Sequence, residues 1–229
     1  MNGVVIAETV RRHVTSIAYW AFVALTALIA FGTSRFNTPA AMWPSLITLL
    51  SVIAGAAPIG PEFSSGTLQL ILVKPLTRSA YLLSRVVGVV LIVWLASGVA
   101  AIAELISRAV LTDNAAAARI GIALLNSAAE AVLAVSLLTF LGSLTRAYFN
   151  VAIYVGVQIV LSVVIGLMAL AKRFPSVTNV LEQVSNNLFP DAPRSLDGHW
   201  MLLVLSNAAV ALVVACLIFR KREVPYGAD

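Results

Sequence analysis

The chain has 229 residues, of which 60% are apolar and 11% charged, against about 45–50% and about 25% in soluble domains. So few charged groups cannot cover the surface of a soluble fold. With a mean hydropathy of +0.97, the composition excludes a disordered, fibrous or ordinary soluble chain and points into a membrane. The single cysteine, Cys216, excludes an intramolecular disulfide and a thiolate metal cluster.

Residues 1–13 read as an amphipathic interface helix. Val4, Ile6, Val10 and the following Val14 fall along one side, with Glu8, Arg11 and Arg12 elsewhere. The alternative is a basic anchor that only sets orientation. The apolar run that follows, about 19 residues, is longer than the 7–15 of a signal-peptide core, so no cleaved leader is expected.

A bilayer core of about 30 Å takes about 20 helical residues. The charge-free intervals predict an all-α polytopic membrane protein with six transmembrane helices, at 14–32, 39–61, 86–103, 120–145, 147–171 and 199–219. An even count puts both termini on one side. That side carries nine basic residues (Arg11, Arg12, Lys74, Arg78, Arg85, Arg146, Arg220, Lys221 and Arg222) against six on the other. The excess predicts cytoplasmic termini in the cell's inner membrane. Topology thus accounts for the net charge of +5, and no nucleic-acid partner is expected.

The longest cytoplasmic segment is 62–85. Ser64 or Ser65 is placed to cap a helix that runs to Pro75. Leu68, Ile71, Leu72 and Pro75 share one face of a segment too short to cross a bilayer. An apolar stripe in that position needs a cover: headgroups, the rest of the chain or a soluble partner.

Glu130 is the one ionisable side chain expected inside a span, and such residues are functional candidates by default. Helical rise places it about 16 Å from Arg119, Gln158 about 21 Å from the outer end of its span, and Asn207 about 12 Å into the last one. Asn126 sits one turn from Glu130 on the same face. Asn126, Glu130, Gln158 and Asn207 therefore form a candidate intramembrane polar layer. It either lines a substrate route or fixes helix packing through hydrogen bonds.

Ala152 with Gly156, Ser162 with Gly166, and Ala96 to Gly98 offer close-packing faces. The external segment 172–198 opens with Pro175 and Ser176. Val177, Val180, Leu181, Val184 and Leu188 then repeat at helical spacing until Pro190 and Pro193. Phe174, Phe189 and Trp200 are interface anchors.

No motif in the chain supports a catalytic centre of its own. The chain contains no Gly-Lys pair and so no phosphate loop. It has no HExxH or GxSxG, and its two histidines, His13 and His199, fall at opposite faces. No catalytic residue, no metal site and no cofactor bound by this chain are expected.

The run Glu62-x-x-x-Gly66-Thr67-Leu68-x-x-x-Leu72-x-x-Pro75-x-x-Arg78, directly after the second span, resembles the motif of ABC-2 type permeases, the membrane subunits of type V ABC exporters. The resemblance extends along the chain: an amphipathic first helix, six spans, this loop, a short Arg-containing turn before span five and a larger external segment before span six. It implies that residues 1–229 are a single transmembrane permease domain. It implies two separate ABC ATPase subunits carrying ATP and magnesium, and a second permease chain in a homo- or heterodimer surrounded by membrane lipid.

By the same resemblance Glu62, Gly66, Thr67, Leu68 and Leu72 couple to the ATPase, and Pro75 and Arg78 position that segment. Arg146, in the turn before span five, is a second candidate contact. Two other readings remain open at this point. One is an ion- or proton-coupled secondary transporter using Glu130. The other is a non-transporting membrane anchor or immunity protein.

Overall fold

Folding of the first element starts at Asn2, whose side-chain oxygen accepts from the amide of Val4 at 2.9 Å and so caps α1 (Gly3–Val14). At its other end the Thr15 hydroxyl donates to the carbonyl of Arg11 at 2.9 Å. In the computed structural model, residues 1–35, 42–56, 77–110, 116–145, 149–171, 175–190, 192–193 and 195–221 are described. Among them the chain is helical and has no strand.

The helices after α1 are α2 (Ile17–Arg35), α3 (Trp43–Gly55), α4 (Arg78–Val110), α5 (Ala116–Leu144), α6 (Phe149–Ala171), α7 (Pro175–Leu188) and α8 (Gly198–Lys221). Pro44 stands in the first turn of α3, where its missing amide costs nothing. Four helices (α4, α5, α6 and α8) are long and apolar enough to cross a bilayer. The α1–α2 pair, bent by 71°, makes a fifth if it is taken as one span. In α3 the described helix has 13 residues, within the 39–61 stretch expected as a span.

α4 reaches well beyond the expected 86–103. Its 33 residues rise about 50 Å, and the charges that bounded the expected span lie inside the helix. Arg85 is 7% exposed and Glu104 3%. The two stand about 28 Å apart along α4, close to the thickness of a hydrocarbon core. Glu104 is met by Trp43 and Arg108, and one Arg85 guanidinium nitrogen by the Thr9 hydroxyl, which is how ionisable groups persist inside an apolar bundle.

The main core lies between α2, α3, α4 and α5. Tyr19, Trp43, Ile47, Ile92, Val93 and Val135 are among its buried members. Polar contacts fix the register. The Tyr19 hydroxyl donates to the carbonyl of Ile92 at 2.8 Å, and Ser107 donates to that of Phe31 at 2.9 Å, so α2 and α4 run the same way. The hydroxyls of Ser97 and Ser127 lie 2.9 Å apart, and Trp94 Nε1 donates to the carbonyl of Ala128 at 3.1 Å. α5 therefore runs against α4, with Glu130 level with the middle of the stretch from Arg85 to Glu104.

One end of the bundle gathers Val5 of α1, Tyr81 and Leu82 of α4, Phe140 of α5 and Ala215 and Phe219 of α8. The start of α1 and the end of α8 thus meet at the same end.

The expected packing faces divide. Ala96 is 1% exposed in the α4–α5 contact. A Cβ added at Gly98, Gly156 or Gly166 would meet nothing within 4 Å among the described residues. α6 is the least covered of the long helices, with 6% of its apolar window buried.

Candidate functional site

Helices α3, α4, α5 and α6 and the segment after α7 line a cavity of about 760 Å³, within the size range of small-molecule sites. Its outer rim, away from the chain ends, carries Glu104, Arg108 and Arg119; its inner wall carries Thr48, Glu130, Tyr154 and Gln158. The rest of the lining is mostly apolar, including Ile122 and Leu133 of α5 and Phe189 and Pro193 beyond α7.

The rim is built by helical spacing. Glu104 and Arg108 are four residues apart on α4, and Arg108 Nε lies 2.8 Å from Glu104 Oε1. The second carboxylate oxygen accepts from Trp43 Nε1 at 2.6 Å, tying α3 to α4. A buried carboxylate held by a guanidinium and an indole is a fixed element rather than a mobile one.

The inner wall is set by α3, α5 and α6. Thr48 donates to Glu130 Oε2 at 3.0 Å and also to the carbonyl of Pro44 at 3.1 Å. On α6 Tyr154 and Gln158 stand one turn apart and line the same cavity as Glu130. Tyr154 also meets Phe189 edge to face, with ring centroids 5.3 Å apart. A carboxylate, an amide, a hydroxyl and two aromatic rings can hold a polar or charged group in an otherwise apolar bundle.

The Tyr154–Phe189 contact reveals the path of the segment expected as external. Tyr154 lies 17 residues before Ala171, the end of α6, or about 25 Å along it. α7 starts just beyond that end and packs back along α6, so Phe189 reaches the residues near the start of α6. Two asparagines hold the returning chain. Asn126 Nδ2 donates to the carbonyl of Pro193 at 2.8 Å, and Asn207 Nδ2 donates to that of Asn187. The helix expected from Val177 to Leu188 is present, but it turns inward.

The polar layer expected from the sequence thus separates into two groups. Glu130 and Gln158 line the cavity, whereas Asn126 and Asn207 secure the segment that forms its wall. Glu104, Arg108, Thr48 and Tyr154 belong to the site and were not singled out by sequence reasoning. The Glu-x-x-x-Arg spacing at 104 and 108 was the available signal.

Of the expected coupling residues, Glu62, Gly66, Thr67, Leu68, Leu72, Pro75 and Arg146 lie outside the described residues. Arg78 is at the first position of α4. It shares a smaller cavity of about 430 Å³ with Thr77, Ser79 and Arg220. Among the described residues no three His, Cys, Asp or Glu side chains come together as metal ligands.

A family described as "Protein of unknown function (DUF2705)" matches residues 32–224. The chain belongs to the DUF2705 family. The matched stretch takes in α3 to α8, and with them the whole cavity; α1 and most of α2 precede it. No curated protein matches the chain.

Proposed function

We propose that this DUF2705 protein is the permease subunit of an ATP-driven exporter of the ABC-2 type. The observation that carries the transport reading is the cavity that Glu130, Tyr154 and Gln158 line between apolar helices. Polar groups inside an apolar bundle are costly unless they serve a route or a lock, and here they face open volume. The ABC-2 assignment rests on the resemblance of the 62–78 run and the order of elements around it.

On this reading the chain spans the inner membrane six times with cytoplasmic termini, and α3 is part of the second span. Two ATPase subunits, carrying ATP and magnesium, dock at the 62–85 segment, and a second permease chain completes the pathway. The chain itself is not catalytic. Binding at the partner rocks the helices, and the cavity changes its exposure between the two membrane faces.

The presence of a carboxylate in the cavity favours a second reading, an ion- or proton-coupled transporter with Glu130 as the coupling group. Uptake or efflux in vesicles separates the two. The exporter reading expects flux that stops on ATP depletion with the proton gradient clamped; flux that persists there and collapses with the gradient would overturn it.

A further inference from the structure

At the end of the bundle that gathers α1 and the last turns of α8, Thr77, Arg78 and Ser79 of α4 and Arg220 of α8 line the cavity of about 430 Å³. Packing brings these residues together. Phe219 is 1% exposed, seated against Tyr81 and Leu82, and this fixes the adjacent Arg220 beside the first turn of α4. The Thr77 hydroxyl accepts from the amide of Ala80 at 3.3 Å.

The cavity therefore combines two arginines from different helices with two hydroxyl side chains, a set suited to a phosphate. Lys221 directly follows Arg220 in the last turn of α8. Such basic clusters beside membrane helices attract anionic lipid headgroups.

A second feature distinguishes a lipid from a free phosphate. Val210, Val213 and Leu217 are exposed on α8 and lie at i, i+3 and i+7, with Arg220 continuing the same face three residues later. A charged cavity at one end of an exposed apolar track has the shape of an amphiphile.

We propose that this cavity binds the phosphate of an anionic phospholipid, with an acyl chain lying along Val210, Val213 and Leu217. The proposal is independent of the ABC-2 reading and of the larger cavity.

The test uses the full chain in mild detergent, washed free of endogenous lipid. Binding of phosphatidylglycerol, of phosphatidylcholine with the same acyl chains, and of inorganic phosphate is measured by native mass spectrometry and thermal shift. The wild type is expected to prefer phosphatidylglycerol. Each arginine contributes about fivefold, so Arg78→Ala with Arg220→Ala weakens that binding about 25-fold, whereas Arg220→Lys keeps it within about fivefold.

Arg220 is exposed at a helix end, so Arg220→Ala alone provides a folded variant if the double one fails, with an expected loss of about fivefold. Equal binding of the two lipids, or unchanged phosphatidylglycerol binding in the alanine variants, would overturn the proposal. Displacement of phosphatidylglycerol by inorganic phosphate, with no effect of Leu217→Gln, would assign the cavity to a soluble phosphate and overturn the lipid.

Discussion

The Arg85 guanidinium donates to the Thr9 hydroxyl at 3.2 Å, joining the first helix of the chain to the start of α4. The contact is backed by the Tyr81 ring, whose centroid lies 5.9 Å from the Arg85 guanidinium carbon, and by the amide of Asn2, which donates to Ser84 at 2.8 Å. α1 is therefore clamped across α4 at the level where an apolar span begins, and a displacement of α4 has to move α1 with it.

Gly88 makes that clamp possible. A Cβ built there would stand 2.6 Å from Thr9 Cβ and 3.3 Å from the carbonyl oxygen of Ile6. Gly88→Ala is expected to lift α1 and cost about 1–3 kcal/mol of stability, read as a lower melting temperature in detergent and faster proteolysis within residues 3–14. Adding Thr9→Gly opens space, so the double variant should lose less than the sum of the two single changes. Strict additivity would show that the two residues do not meet.

Glu104 is the buried anchor of the rim. Glu104→Leu leaves Arg108 and the Trp43 indole without this acceptor and should destabilise the protein by about 3–5 kcal/mol. Glu104→Gln still accepts from one of them and should lose clearly less. Thermal unfolding of both variants and of Trp43→Phe, whose indole donor is gone, checks the order.

Glu130 separates a route from a lock. Glu130→Gln keeps an acceptor for Thr48 and removes the charge, so the transport account expects flux to fall at least tenfold with the melting temperature little changed. Unchanged flux in Glu130→Gln, together with loss of stability in Glu130→Leu, would leave Glu130 a packing residue.

The returning segment depends on two amides. Asn207→Ala or Asn126→Ala leaves a backbone carbonyl near mid-bundle without its donor, at about 1–3 kcal/mol. With Cys216 replaced by Ala, a cysteine at Phe189 should react faster with a water-soluble maleimide in either asparagine variant than in its parent. Equal rates would mean that the asparagines do not hold the segment.

The helical bundle was readable because charge-free intervals of about 20 residues report membrane depth directly. Glu130 and Gln158 were readable for the same reason, as polar residues inside such intervals. Arg85 and Glu104 escaped because the charges themselves were used as boundaries. Burial by α1 and by Trp43 lets α4 carry both inside a longer helix. The helical pattern from Val177 to Leu188 was likewise legible, but its inward direction was not. That direction is set by Tyr154, Asn126 and Asn207, whose contacts with it span 20 to 67 residues of sequence or join separate helices. The small-residue pattern on α6 had no local signal to show that a Cβ at Gly156 or Gly166 would meet nothing within 4 Å among the described residues.

The central claim is that a separate ATPase drives this protein through the 62–85 segment. The most direct measurement is to extract the tagged chain from its native membrane after mild cross-linking and identify its partners by mass spectrometry. The account predicts a stoichiometric soluble protein bearing a phosphate loop, lost in Gly66→Trp while the helices stay folded. A chain recovered alone, or the same partner held equally by Gly66→Trp, would contradict it.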